Sequence, residues 1–356
     1  MSEPLRYGII GVGMMGLEHQ RNLNALSDAV VVAVADPFEK SLEWARLVAA
    51  PSALTTFFDY REMLAADLCD VYVIATPNHT HRAVLDDVMA TGRHLLVEKP
   101  LCSNVSDARA IVQAARNYPA VFWVGLEYRY MPPVAHAIEL ARSGQLGVVH
   151  LIGIREHRHP FLKKVGDWNR FNVNTGGTLI EKCCHFFDLM RLIANGEPVA
   201  VSAFGGQAVN HLDERYDGRT PDIVDHALVV VEFANSVRAS LDLCMFAEGT
   251  TNNEEISIVG EVAKVEAFLP SAVVRVGQRS GWGPAVREEI VHDDRILVEG
   301  FHHGASFLEH LDLIAAIRSG SAAKVGAIDG YWSVVMGAAA HRALSERRVV
   351  LIEEMV

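Results

Sequence analysis

The sequence predicts an α/β protein of two domains, a doubly wound parallel sheet followed by an α/β domain with a large, open, mostly antiparallel sheet. Three observations predict it. Up to residue 125, short β-branched runs alternate with amphipathic stretches, as parallel strands and crossover helices do. A Gly-x-Gly-x-x-Gly turn follows the first run. Beyond residue 130, strand-like runs succeed one another with few helices between, the pattern of antiparallel neighbours. A chain of 356 residues with 50% hydrophobic side chains also exceeds what one core usually organises.

In the first half, strands are expected over 7–10, 30–35, 71–75, 94–97 and 121–124, with helices near 16–26, 39–49, 80–90 and 105–116. Met131-Pro132-Pro133 then breaks the chain, and a helix over 134–141 closes at Ser143-Gly144. The domain boundary is therefore set between 126 and 127, giving domains 1–126 and 127–356. In the second, strands are expected over 148–154, 199–205, 223–233, 237–245, 255–259 and 262–268. Helices over 178–193, 307–317 and 331–344 interrupt them, a strand over 349–352 ends the chain, and 210–222 reads as an exposed loop.

Composition excludes several classes. A formal charge of -12 disfavours nucleic acid and anionic membranes, both of which repel an acidic protein. The opening MSEPLRYGII lacks a basic region, an apolar stretch and a cleavage site, and no apolar run approaches the roughly 20 residues of a membrane span, so a cytoplasmic protein is expected. Five cysteines without a C-x-x-C pair read as reduced thiols. Sixteen histidines raise a metal site as a minor reading, but no ligand spacing requires one, and none is expected.

Gly11-Val12-Gly13-Met14-Met15-Gly16 is informative because it follows the first strand and opens a helical pattern, where amide N–H groups and the helix dipole hold a pyrophosphate. Gly11 makes the tight turn, Gly13 admits the phosphates, and Gly16 permits close helix packing. Asp36 ends the second strand twenty residues after Gly16, the spacing at which a carboxylate accepts from the adenine ribose and disfavours a 2′-phosphate. NAD is thus expected over NADP; alone, Asp36 beside Pro37 also reads as a turn residue. The run Ala75-Thr76-Pro77-Asn78-His79-Thr80-His81 should line the crevice at the strand ends, with Thr76, Pro77, Asn78 and His81 as cofactor contacts. Asn78 and Thr80 read equally well as caps of the next helix.

Glu98-Lys99-Pro100 ends the next strand on the same edge, so Glu98 and Lys99 face the nicotinamide end. There Lys99 hydrogen-bonds a reacting hydroxyl and stabilises an incipient alkoxide; a solvated strand-end lysine is the bland alternative. The second constellation is Gly176-Gly177-Thr178 through Asp188. Apolar Leu179, Phe186, Leu189 and Ile193 leave Glu181, His185 and Asp188 on one helix side. A histidine is the natural base for an alcohol proton, because its pKa lies near operating pH. Glu181 either orients it, grips a substrate hydroxyl, or completes a Thr178-x-x-Glu181 capping box. Asp188 reads as a partner of Arg191 or of the backbone.

Taken together, Gly11–Gly16, Asp36, Thr76-Pro77-Asn78-His79, Glu98-Lys99-Pro100, the segment from Gly176-Gly177 through His185 to Asp188, and Asp329-Gly330 with the helix behind it resemble the Gfo/Idh/MocA oxidoreductases over almost the whole chain. The resemblance implies a Rossmann domain that binds NAD and a second domain whose open sheet commonly mediates dimers or tetramers. It implies Lys99 and His185 as the catalytic pair, with His185 as acid/base. The family usually carries Asp four residues before that histidine; Glu181 stands there instead, which implies a shifted substrate hydroxyl.

Arg155, His157 and His159 alternate along a strand, so His157 is a candidate substrate contact, as are Tyr128, Trp168 and Asn169. The expected activity is hydride transfer between NAD and a secondary alcohol carbon of a sugar, sugar derivative or cyclitol by a homodimer or homotetramer. A redox-neutral glycoside-cleaving enzyme using NAD, and a non-catalytic NAD- and sugar-binding regulator, are the alternatives. Retention of both Lys99 and His185 argues against the regulator.

Overall fold

The first strand, β1 (Leu5–Ile10), is buried at every residue but Arg6, as expected of a strand covered by helices on both faces. With β2 (Ala29–Ala35), β3 (Thr55–Phe57), β4 (Val71–Ile74), β5 (His94–Glu98) and β6 (Phe122–Gly125) it forms a parallel sheet in the order β3-β2-β1-β4-β5-β6. The computed structural model describes residues 3–49, 54–279 and 285–356. The order reverses between β1 and β4, so the glycine turn after β1 and the run after β4 flank the switch point where ligands of such sheets bind. β3 and the helix Tyr60–Ala65, capped by Asp59, were not foreseen: three half-exposed residues carry no readable periodicity.

The chain divides into two units, Met1–Glu127 with Asp294–Tyr331, and Tyr128–Asp293 with Trp332–Val356. The helix Ala305–Ser319 packs in the first unit rather than among the helices of the second sheet. Trp123 Nε1 donates to Glu309 Oε1 at 2.9 Å and the Val124 amide to the Val325 carbonyl at 3.0 Å. Gly330 lies so close to Leu101 that a Cβ there would sit 2.9 Å from the leucine Cβ.

In the second unit, β7 (Val149–His157), β8 (Pro198–Gly206), β9 (His226–Phe233), β10 (Arg238–Cys244), β11 (Glu254–Gly260), β12 (Ala263–Leu269), β13 (Val273–Gln278), β14 (Ala285–Ile290) and β15 (Val350–Leu351) form one sheet, β14-β13-β12-β11-β7-β10-β9-β8-β15. The β7–β10 pair is parallel and the other pairs are antiparallel. Helix Pro132–Arg142 packs on β11, β12 and β13 and helix Cys184–Ala194 on β7, on the face where Ile152, Ile154, Ile256 and Ile258 are buried. The other face exposes Leu151, Phe204, Leu228 and Val230 among surface ion pairs.

The two-residue side-chain period of a strand decides which β7 residues approach the helices. Arg155 and His157 stand on the outer face, paired with Glu255 and Asp242, while Glu156 between them is fully buried on the helix side. His157 is thereby set apart from the helix that carries His185. The loop expected over 210–222 is present and mostly exposed, with Asn210 and Pro221 its buried residues. It is anchored at three points: Asp225 accepts from the amides of Ala208, Val209 and Asn210 at 2.8–3.0 Å, buried Arg170 holds Glu214 at 2.8 Å, and the Asn172 amide donates to Asp222 at 2.7 Å. Among the described residues, no helix is long and apolar enough to cross a membrane.

Candidate functional site

The glycine turn is built by close approach. Gly11 has φ +86, and a Cβ there would meet the Ala75 carbonyl oxygen at 2.7 Å; one on Gly16 would meet the Gly11 carbonyl oxygen at 2.0 Å. Only glycine lets helix Met14–Asn24 pack this tightly on the turn. Gly13 differs: nothing lies within 4 Å of the position its Cβ would take. It is the N-cap of the helix, with no side-chain cap and no acidic residue in the first turn, so the leading amides and the positive dipole end are left for an anion. Met14 is exposed and Met15 half-buried beside it. The open cradle therefore fits a dinucleotide pyrophosphate.

Asp36 is buried at the end of β2 and accepts from the amides of Val12 and Phe38, both at 2.9 Å. It ties the glycine turn to the β2 edge, and each oxygen retains a lone pair for a ribose hydroxyl. Burial lifts its carboxyl above the usual range, against the opposing hydrogen bonds from Phe38, Val12 and Ser41. After β4, Thr80 Oγ1 donates to the Pro77 carbonyl at 2.7 Å and lies 2.7 Å from Thr76 Oγ1, from which it accepts, and it makes no side-chain cap of the following helix; Asn78 is buried. His81 is fully buried, with Nδ1 2.8 Å from the Pro100 carbonyl and Nε2 3.0 Å from the Thr76 carbonyl. It clasps together the two loops that the sequence marked for cofactor contact.

Lys99 is half-buried after β5, and its amide donates to Glu98 Oε2 at 3.1 Å. Beneath it Glu98 Oε1 lies 2.9 Å from His19 Nε2, and His19 Nδ1 lies 2.8 Å from His310 Nε2. Burial would raise the Glu98 carboxyl, but the His19 hydrogen bond and the nearby charges of His19, Lys99 and His302 outweigh it and hold the carboxyl below its ordinary range. An ionised Glu98 has only acceptors, so His19 donates to it. His19 and His310 carried no sequence signal because they are remote from each other and fit apolar helix faces equally well.

In the second unit, the single helix expected over 178–193 is two, Thr178–Glu181 and Cys184–Ala194, separated at Lys182-Cys183. The capping box does not form. Gly177 (φ 88) is the N-cap, and Thr178 Oγ1 donates to the Val224 carbonyl at 2.6 Å. Glu181 is buried with its Oε1 3.9 Å from Lys164 Nζ. His341 caps from a distance, its Nε2 accepting from the Leu179 amide at 3.1 Å, and a Cβ on Gly177 would strike that nitrogen at 2.3 Å. Asp188 is gripped by Arg129 through two nitrogens, whereas Arg191 turns to Glu197.

His185 is buried and lies flat on Tyr128, ring centroids 4.0 Å apart and planes within 11°. The Tyr128 hydroxyl meets Lys182 Nζ at 2.5 Å and Glu254 Oε1 at 3.3 Å; Lys182 Nζ lies 2.9 Å from Glu156 Oε1. Burial raises the Glu254 carboxyl, against the charge of Lys182. Trp168 is half-buried beneath Lys164, 4.9 Å from the ring centre, and buried Asn169 holds the Leu162 carbonyl at 2.9 Å. Lys182, Glu156 and Glu254 were missed: they come from a helix break and two strands, and adjacency in space left no trace in spacing. Among the described residues, no group of three or more His, Cys, Asp or Glu has a metal-holding arrangement.

The fold and these motifs define an oxidoreductase built on a dinucleotide-binding domain. The family description "Oxidoreductase family, NAD-binding Rossmann fold" matches residues 5–126, and "Oxidoreductase family, C-terminal alpha/beta domain" matches 138–352. The chain belongs to the Gfo/Idh/MocA oxidoreductase family, and is an enzyme of the dehydrogenase type. It is 26% identical to the myo-inositol 2-dehydrogenase of Thermotoga maritima over 99% of this chain and 100% of that one. It is also 26% identical to the scyllo-inositol 2-dehydrogenase (NAD(+)) of Bacillus subtilis over 68% of each. Levoglucosan dehydrogenase, solved with NADH and levoglucosan, shares the fold at TM-score 0.87 and 21% identity, covering 98% of this chain and 100% of that one.

Gly13→Ala should leave the melting temperature within about 2 °C while weakening NAD binding about tenfold or more, whereas Gly16→Ala should destabilise the fold itself. Calorimetric binding and thermal melts separate the two, and unchanged NAD affinity in Gly13→Ala would refute the cradle. Burial depresses His341 to about 4 from the ordinary 6.5, against weaker opposing effects of Gly177 and Asp222. Between those values the unfolded chain binds the extra proton, so this contribution to stability is complete above about 6.5 and is lost as pH falls toward 4, on the order of 3 kcal/mol in all. His341→Gln, which can still accept the Leu179 amide, should flatten that slope in urea unfolding at pH 7 and pH 5; identical slopes would exclude His341 as its source.

Proposed function

We propose that this protein is an NAD-dependent dehydrogenase that oxidises a secondary alcohol carbon of a sugar, sugar derivative or cyclitol. The observation that carries the reading is a buried histidine, His185, held flat on an aromatic ring in a chain related over its full length to a myo-inositol 2-dehydrogenase. A structural histidine needs no such kinship, and a binding protein needs no base.

In this reading the leading amides of helix Met14–Asn24, with Gly11, Gly13 and Gly16, hold the pyrophosphate. Met14, Met15, Thr76, Pro77 and Asn78 wall the crevice, His81 fixes its two loops, and Glu98 sets the electrostatics behind Lys99. Asp36 accepts from the adenine ribose and repels a 2′-phosphate, which selects NAD over NADP. Lys99 donates a hydrogen bond to the substrate oxygen, stabilising negative charge as it develops there. His185 accepts the hydroxyl proton. The bound nicotinamide supplies the acceptor for the carbon hydride. Glu181 receives a substrate hydroxyl, and Tyr128, Trp168 and Asn169 shape the ring site; His157, on the outer sheet face, is left out of it.

The outer face of the second sheet, with Phe204 69% and Leu228 60% exposed, supports a homodimer or homotetramer through that face, because solvated monomers rarely leave such a surface open.

Sugars, sugar acids and inositols offered with NAD or NADP should yield reduced nicotinamide by absorbance for at least one polyol with NAD. His185→Ala should lower kcat about 100-fold or more with NAD affinity unchanged. Wild-type activity in that variant would remove the base, and glycoside cleavage without stoichiometric NADH would replace oxidation by a redox-neutral reaction. Sedimentation should give a mass of two or four chains, and Leu228→Glu with Phe204→Glu should reduce it; a wild-type mass of one chain would exclude the assembly.

A further inference from the structure

A buried charged network lies against the ring that carries His185, and the chemistry assigned above makes no use of it. Lys182 is 5% exposed and Glu156 fully buried, and they pair at 2.9 Å, with Arg158 Nη1 a further 3.5 Å from Glu156. Desolvating such a pair is costly, and apolar residues of similar volume often serve stability as well or better. The lysine does something a methionine would not. Its Nζ donates to the Tyr128 oxygen, and that hydroxyl in turn donates to Glu254 Oε1. Donor and acceptor together fix the direction of the phenol, and therefore the plane of the ring on which the imidazole rests.

We propose that Lys182 and Tyr128 form a positioning pair for His185, with Lys182 locking the phenol and the Tyr128 face stabilising the protonated imidazole. The inference rests on the reading of His185 as the base. An aromatic face attracts a cation stacked on it, so the ring favours the proton-bearing form that alcohol oxidation generates. The two anchors act on the ring in opposite senses, the Glu254 hydrogen bond adding electron density and the Lys182 ammonium, 4.7 Å from the ring centre, withdrawing it, so what they supply together is a fixed orientation of the face. The other charged groups around the ring are already committed. Arg158 faces Glu156, Arg129 holds Asp188 on the His185 helix, and Lys164 lies by Glu181 one turn before it. His159, whose protonation is disfavoured by burial and by Arg158 and Lys182, adds no competing charge. The Tyr128 face is thus the element through which Lys182 reaches the imidazole.

The test is the titration of the His185 ring protons by NMR in the full-length protein, assigned by difference with His185→Gln. Tyr128→Leu should move the midpoint down by about half a pH unit or more, the equivalent of one exposed cation–π contact. Tyr128→Phe, which keeps the stack and loses both anchors, should move it in the same direction by less, and differs by one oxygen, so its folding is not at issue. The charge-neutral double variant Lys182→Met, Glu156→Gln should match Tyr128→Phe. Each should lower kcat about tenfold while the KM for NAD is unchanged. A midpoint that stays within about 0.2 of the wild-type value in Tyr128→Phe and the double variant overturns the pair. If the midpoints move and no polyol is oxidised, the dehydrogenase reading falls and the pair stands. Turnover that depends on His185 and ignores Tyr128 and Lys182 removes the pair alone.

Discussion

The carbonyl of Gly11 occupies the place where residue 16 would carry a side chain, 2.0 Å from an idealised Cβ. That steric demand is the constraint on which the nucleotide-binding unit depends. It brings the start of helix Met14–Asn24 down onto the end of β1, leaves its first amides without a side-chain cap, and points them at the crevice where strand order reverses. Asp36 fixes the same turn from the neighbouring strand through the Val12 amide. A helix N-terminus so placed is costly to leave unsatisfied, and an anion satisfies it.

The second unit solves a different problem, how to hold a titratable ring in one orientation inside apolar surroundings. Its helix Cys184–Ala194 is buried at nine residues, among them His185 and Asp188. Polar groups at such depth need partners, and each receives one from another element: Arg129 for Asp188, Lys164 for Glu181, Glu156 for Lys182. The turn that launches this segment is held by His341, which lies far along the chain and supplies an acceptor that no nearby residue provides. The break at Lys182-Cys183 lets the lysine reach inward, where a continuous helix would have kept the spacing of its neighbours.

Legibility followed the range of the interactions. The glycine turn, Asp36 and the run after β4 were readable because their chemistry lies within a few residues of one another along the chain. The capping box at Thr178 and Glu181 was a sound local pattern and still failed, because the Val224 carbonyl and Lys164 compete for the same side chains. Strand alternation puts His157 on one face with Arg155, but which face that is depends on the side the helices cover, and strand sequence alone leaves that open when both sides carry charge. The segment 210–222 reads as solvated by composition and is mostly exposed, while the anchors that hold it, Asp225 and Arg170, lie outside it and left no local signal.

The amino-acid order by itself determined that a parallel sheet precedes a mostly antiparallel one, though not their edge strands β3, β13 and β14, together with the position of the glycine turn, the carboxylate at the end of β2 and the kinship that these motifs carry. Each depends on backbone conformation or on periodicity, which are written locally. Tertiary structure alone decided the packing of Ala305–Ser319 against Trp123, the His19–Glu98–His310 chain behind Lys99, and the Lys182–Tyr128 support under His185. Those are pairings between distant residues, and a buried polar group specifies that it must have a partner without specifying which one.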